Sequence, residues 1–199
     1  MSQTRYDTGD ESLLAEYRDG SDDAFAQLFR KYGRRIFGYI LGIVGDTDIA
    51  DDVTQIVFIK LARRPETYSP TASFSSWLHR VARNAALDFL KSHRNMVALE
   101  KLDGERGEAY STQLQADDES QPDRHSRIDS IESMLSAAIE TLDGAQREAL
   151  VLREYSELSY REIAEITGRS LAMVKQDIFQ ARQHLRRELA PHLERTGTG

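Results

Sequence analysis

Apolar residues recur at three- and four-residue steps across residues 22–95 and again across residues 130–193, the period of helices with one buried face. In the first run Phe25, Leu28, Phe29, Tyr32, Ile36 and Tyr39 form one stripe, and Ile49, Val53, Ile56, Val57 and Leu61 form a second. Asp48, Asp51 and Asp52 open that second helix and Lys60, Arg63 and Arg64 close it, an order that complements the helix dipole. Pro65 stops it, and "PETYSPTAS" (residues 65–73) reads as a loop. A third helix follows in "SFSSWLHRVARNAALDFLKSHRN", with Leu78, Val81, Ala82, Ala85 and Phe89 on one face. Arg80, Arg83, Asn84, Lys91 and Arg94 fall on or near the other. No alternating strand pattern of useful length and no internal repeat occur.

The two helical runs are separated by residues 100–127, poor in large apolar side chains and rich in Asp, Glu, Ser, Gln and Gly. Such a segment buries too little to offset its ordering entropy, which marks a flexible linker. The expected fold is therefore all-α: two small helical domains on an acidic tether, the C-terminal one a helix-turn-helix. The expected boundaries are an N-terminal tail at 1–20, a first domain at 21–95, the linker at 96–129, a second domain at 130–193 and a C-terminal tail at 194–199.

The helix-turn-helix pattern lies in "ELSYREIAEITGRSLAMVKQDIFQARQHLRREL" (residues 157–189). Ser159 and Glu162 have the spacing of a capping box, and Ile163, Ala164 and Ile166 face inward. Gly168 supplies a turn where positive φ is needed, Ser170 caps the next helix, and Val174, Ile178 and Leu185 give that helix its apolar stripe. The small residue, the glycine and the inward valine, at Ala164, Gly168 and Val174, have the spacing of a DNA-binding helix-turn-helix. Leu171, Ala172, Lys175, Gln176 and Phe179 are then free to face a groove. Gln176 suits an adenine edge, Lys175 a phosphate or guanine, and Arg182, Arg186 and Arg187 the backbone phosphates. An ordinary helical hairpin is the plainer alternative.

Charge complicates this picture. The 199 residues carry a formal net charge of −7, the sign that DNA repels. The charge is uneven: +3 over residues 21–95, −5 over 96–129, −2 from 130 onward and −3 over the first twenty. Local patches, not whole-chain charge, decide contacts. A basic helical face with Phe74 and Trp77 at its start suits single-stranded DNA, cations meeting phosphates and rings stacking on bases; a solvated basic face over a core pair of aromatics is the alternative. An acidic tail and tether would weaken indiscriminate binding, which fits a protein carried to DNA by a partner.

Other classes fit less well. With no cysteine, disulfides and thiolate metal sites are excluded, in keeping with a reducing cytoplasm. The N-terminus has no signal-peptide pattern, and "IFGYILGIVG" is too short for a membrane span. His79, His93, His125, His184 and His192 lack metal-ligand spacing, and neither a phosphate loop nor a serine elbow occurs, so no enzyme, metal or cofactor is expected. A stand-alone helix-turn-helix regulator explains the C-terminal half equally well but leaves the Asp-rich helix and the Trp–Arg–Asn helix without a role.

Taken in order, three segments resemble bacterial sigma factors of the extracytoplasmic-function class. "DTDIADDVTQIVFIKLAR" resembles the helix that binds the polymerase clamp, "FSSWLHRVARNAALDFLKSHR" the promoter-melting helix, and residues 142–189 the minus-thirty-five reader. The resemblance implies that Asp51, Asp52, Gln55 and Phe58 touch core RNA polymerase. It implies that Phe74, Trp77, Arg80, Arg83, Asn84, Asp88, Lys91 and Arg94 belong to the segment that opens and holds the minus-ten element, with residues 65–73 capturing a flipped-out base. It also implies that the helix around residues 142–154 meets the polymerase flap, and that Ser170, Leu171, Ala172, Lys175, Gln176, Phe179 and Arg182 read the minus-thirty-five element. The implied partners are core RNA polymerase (beta and beta-prime subunits), promoter DNA and an anti-sigma factor, with no membrane. The implied place is the cytoplasm, on the nucleoid when in holoenzyme. Asp177 stands where the family often has a basic residue, Asp143-Gly144 where a proline is common, and the Lys91–Arg94 cluster is thinner than many.

Overall fold

The computed structural model describes residues 8–102, 134–135 and 137–196, and all regular structure among them is helical. Helices α1 (Thr8–Arg18), α2 (Asp22–Val44), α3 (Thr47–Arg63) and α4 (Phe74–Leu102) form the N-terminal half. Helices α5 (Gly144–Glu154), α6 (Tyr160–Thr167) and α7 (Leu171–Thr196) form the C-terminal half, preceded by helical residues at 134–135 and 137–140. None of the described helices is long and apolar enough to cross a membrane. Most of the expected linker, residues 103–129, lies outside the described residues, whereas α4 runs past Asn95 to Leu102.

Local chemistry sets the helix ends. Ser21 accepts from Ala24 N at the start of α2, and Gly45, at φ 73°, ends that helix in the left-handed conformation that a Cβ disfavours. Asp46 caps α3 by accepting from Ile49 N at 2.9 Å. Asp143 caps α5, accepting from Ala145 N at 3.0 Å, so it supplies a start signal where the resembled family often has proline.

Residues 8–18, expected as tail, are the helix α1 and pack into the core. Leu14 is buried, and the buried Asp10 accepts hydrogen bonds from Tyr32 Oη and, at 2.7 Å, from Lys31 Nζ. Sequence reasoning missed this helix because only Leu13, Leu14 and Tyr17 signal its face among acidic neighbours. The stripe on α3 also needs correction: Ile56 is 42 % exposed, and the inward positions are Ala50, Val53, Thr54, Val57, Phe58 and Leu61.

The two halves are not held apart. One continuous apolar cluster runs from Leu28, Ile36 and Tyr39 on α2 through Leu78 and Ala82 on α4 to Leu152 on α5, Ile163 on α6 and Val174 on α7. Even Gly42 of α2 lies against Val151 of α5: a Cβ there would meet Val151 Cγ2 at 3.7 Å. The sequence pattern gave each half its own amphipathic faces but could not show that these faces also meet each other.

Candidate nucleic-acid interface

The C-terminal motif has the geometry its spacing demands. Ser159 accepts from Glu162 N at 3.3 Å while Glu162 Oε2 accepts from Ser159 N at 2.9 Å, completing the capping box. Gly168 sits at φ 69° between α6 and α7, and Ser170 caps α7 by accepting from Met173 N at 3.2 Å. Val174 and Ile178 are buried beneath α6 and α5. Asp177 turns inward too: its Oδ2 lies 2.6 Å from Arg169 Nη1, so it ties the turn to the second helix instead of facing a groove.

The opposite side of α7 is open. Ser170, Leu171, Ala172, Lys175, Gln176 and Phe179 are all exposed, Phe179 at 63 %. Arg182 is exposed as well, but its Nη2 donates to Glu154 Oε1 at 2.5 Å. Leu171, Ala172, Lys175, Gln176 and Phe179, with Ser170 before them, thus offer a mixed polar and apolar surface with no protein over it. That is what a helix entering a groove requires.

The basic face of α4 is arranged differently. Ser73 caps the helix by accepting from Ser76 N at 3.2 Å. Phe74, only 2 % exposed, is a core residue with edge-on contacts to Tyr32 and Tyr68, so its ring is not available to a base in this arrangement. Trp77 is half-buried and meets Tyr68 edge to face at 5.5 Å. Asn84, Asp88 and Lys91 are exposed, and Arg94 lies on α4 with its side chain outside the described residues.

Arg80 and Arg83 face acidic residues of the C-terminal half. Arg83 Nε donates to Glu148 Oε1 of α5 at 2.8 Å, and Tyr39 Oη donates to the same oxygen at 2.9 Å. Burial works against the Arg83 charge, but the hydrogen bond and negative charge of Glu148 outweigh it and raise the guanidinium pKa. Burial and the same carboxylate push the Tyr39 hydroxyl well above its ordinary value. Arg80 lies 3.9 Å from Glu165, and Arg35 of α2 lies 3.6 Å from Glu157.

Glu162 has a second task that its sequence context hides. Its Oε1 accepts from Ser73 Oγ and Ser76 Oγ, each at 2.7 Å, placing a carboxylate at the N-terminus of α4. Burial opposes the charge there, yet the hydrogen bonds from Ser159, Ser76 and Ser73 prevail and lower its pKa. A negative group at a helix N-terminus, held by hydroxyl donors, occupies the kind of place a DNA phosphate would take. Acidic side chains of one half therefore cover the cationic and donor groups of the other. The surplus acid of the chain thus lies in part directly over its own basic and donor groups.

His79 lies fully buried beside this seam, its ring 5.5 Å from that of Tyr39 and its Nδ1 2.8 Å from Ser75 O. Burial, against the opposing Ser75 O and Glu162 and with help from Arg35, lowers its pKa to about 4. The unfolded chain then binds the proton more tightly than the folded one. Stability from this group is complete above its ordinary value near 6.5 and is lost as pH falls toward 4, by about 3 kcal/mol at most. Glu162 adds to the loss only at the acid end of this window, from its ordinary value near 4.5 downward, because its folded pKa is lowered. Denaturant titrations between pH 7 and 4 are expected to show falling stability, and His79→Gln should flatten that slope. An equal slope in the variant would remove His79 as the cause.

On the N-terminal side, Asp51, Asp52 and Gln55 are exposed on α3, with Gln55 Nε2 donating to Asp51 Oδ2 at 2.7 Å. Phe58, expected beside them, is instead 4 % exposed and packed edge-on against Phe25 and Phe29. Its place in the outward group is taken by Ile56 and Ile59, 42 % and 48 % exposed, which share a face with Asp52 and Gln55 at helical spacing. Of these two uncovered isoleucines, Ile56 has the step of the core stripe and Ile59 stands outside it.

The fold thus defines a two-part helical protein with a helix-turn-helix reader and a second, basic helical face. The family model for sigma-70 region 2 matches residues 28–96, and that for sigma-70 region 4 matches residues 132–185. The RNA polymerase sigma-H factor of Pseudomonas aeruginosa is 32 % identical over 184 residues, covering 92 % of this chain and 95 % of the relative. Among solved structures, CnrH in complex with the cytosolic domain of CnrY aligns with a TM-score of 0.62 at 22 % identity, over 92 % of this chain and 98 % of that one. The sigma factor RpoE in complex with the anti-sigma factor NepR, from Bartonella quintana, aligns with a TM-score of 0.61 at 20 % identity, over 83 % and 96 %. The chain belongs to the sigma-70 family, in its extracytoplasmic-function class. It is an alternative sigma factor that initiates transcription.

Proposed function

We propose that the arrangement described here is the free, closed form of this sigma factor, and that docking on core RNA polymerase separates its halves. The Glu148 carboxylate shared by Arg83 and Tyr39 is the observation that carries this reading. While Arg83 holds that carboxylate, its charge is neutralised and its Nε donor is taken, which weakens its hold on a phosphate. In the open form α7 reads the minus-thirty-five element through Ser170, Leu171, Ala172, Lys175, Gln176 and Phe179, with Arg182 on the backbone. Helix α4 holds the opened minus-ten strand through Trp77, Arg80, Arg83, Asn84, Lys91 and Arg94, with Phe74 as support beneath them. Asp51, Asp52 and Gln55, flanked by Ile56 and Ile59, dock on the beta-prime clamp with Phe58 packed behind, and α5 meets the flap of the beta subunit. The chain works in the cytoplasm, on the nucleoid when in holoenzyme, and the catalysis belongs to the polymerase.

The solved relatives bound to the cytosolic domain of CnrY and to NepR support a similar partner for this chain, an anti-sigma factor that keeps the closed form closed. Transcription of random-sequence templates by core polymerase plus this protein tests the overall reading. Start sites sharing two upstream motifs at fixed spacing are expected, and starts without a shared motif would contradict it.

Gln176→Ala is expected to relax the upstream motif at one position. A bidentate amide–adenine contact discriminates by about 1–3 kcal/mol, on the order of five- to a hundredfold between bases. The same template library, transcribed with the variant, provides the measurement, and an unaltered upstream motif would take Gln176 out of the reading set.

A further inference from the structure

The loop at 65–73 carries little structure of its own. It has one short 3-10 turn (Pro65–Thr67), and within it Thr71 N donates to Ser69 O at 2.7 Å. Its fixed points come from α1. Arg18 Nη2 donates to Pro65 O at 2.6 Å and to Tyr68 O at 3.1 Å. Tyr68 Oη lies 2.7 Å from Glu11 Oε1 and 2.9 Å from Ala72 O. Just before the loop, Tyr17 Oη donates to Ala62 O at 3.0 Å. The α1 helix is itself anchored by buried Leu14 and by the Asp10–Tyr32–Lys31 contacts, so it can act as a rigid brace. From Tyr68 the constraint passes on by ring contacts to Phe74 and Trp77, at 5.5 Å each.

We propose that Arg18 and Glu11 are positioning residues for promoter recognition: through the carbonyls of Pro65 and Tyr68 and the hydroxyl of Tyr68, α1 sets the shape of the 65–73 loop and with it the base preference at the minus-ten element. The inference rests on the reading that this loop holds a base of the opened minus-ten strand. Neither residue touches DNA in this account. A guanidinium suits the task because its forked donors can serve two carbonyls at once, whereas an ammonium on a flexible stem serves them less well. Losing charge-assisted hydrogen bonds lets the loop sample other shapes, and selectivity falls before binding does.

The test uses the full chain with core polymerase and a promoter library randomised through both elements. Arg18→Ala is expected to lower discrimination within the minus-ten element on the order of tenfold, the scale of one charged hydrogen bond, while leaving minus-thirty-five preference and core affinity unchanged. Arg18→Lys should restore part of the preference. Discrimination falling equally in both elements would show general destabilisation and overturn the proposal. The exposed loop variant Thr71→Ala separates the two layers of the argument. If Thr71→Ala shifts minus-ten preference and Arg18→Ala does not, the brace fails and the loop reading stands. If neither shifts it, both fall.

Discussion

Replacing Glu148 with alanine is expected to raise the affinity of the free protein for promoter DNA on the order of tenfold. The substitution leaves Arg83 without its carboxylate, 2.8 Å away in the wild type, and leaves the buried Tyr39 hydroxyl without its acceptor. Hydrogen bonds to charged groups contribute about 1.5–3 kcal/mol, and an unpaired buried group adds a penalty of similar size. A shift of that size moves a closed–open equilibrium by about ten- to a hundredfold. The affinity gain is bounded by how rarely the wild type opens. Arg83→Ala breaks the same contact but removes the cation that would meet DNA, so it should loosen the closed form without the gain. Anisotropy of a labelled promoter fragment carrying an unpaired minus-ten strand reads both variants. Equal affinity of wild type and Glu148→Ala would mean that the acidic cover does not compete with DNA. Glu162→Gln is a milder companion, because glutamine still fits a capping box while the charge at the start of α4 is lost.

The second large effect is expected on the exposed face of α4, the proposed melting helix. Asn84→Ala should reduce open-complex yield on a cognate promoter at least tenfold while core binding is unchanged. Asn84 is exposed, so its truncation removes little packing. Trp77→Ala should lower the yield further, since ring–base stacking contributes about 1–3 kcal/mol per base. Trp77 is half-buried against Phe74 and Tyr68, so part of its effect is structural, and Asn84→Ala alone separates the two. Permanganate reactivity of unpaired thymines reports the yield. Unchanged reactivity in Asn84→Ala would remove this residue from the melting face.

Much of the fold is legible in the sequence because helices announce themselves locally. The Ser159–Glu162 capping box, the left-handed Gly168 and the Ala164–Gly168–Val174 spacing each depend on neighbours within ten residues, and all three appear as expected. What the sequence hides is non-local. Phe58 and Phe74 are aromatic side chains beside polar motifs, and only packing against Phe25, Phe29, Tyr32 and Tyr68 shows that they face inward. Ile56 has the right step for the buried stripe of α3 yet points out, because the stripe turns along the helix and period alone does not say which flank is covered. Glu148 and Glu162 look like ordinary solvated or capping glutamates until α5 and α6 are placed over α4. Helix α1 is hidden by its acidity, whose buried member, Asp10, is satisfied by Tyr32 and Lys31.

In the proposed mechanism the melting face is closed in the free protein and uncovered on polymerase. The chain has no cysteine, so two exposed positions, Ser92 on α4 and Arg161 on α6, can each be replaced by cysteine and labelled for energy transfer. High transfer is expected in the free protein, a fall on adding core polymerase, and low transfer maintained in the promoter complex. High transfer persisting in a transcribing complex would contradict it, because α4 would then be engaging DNA with the C-terminal half still in place.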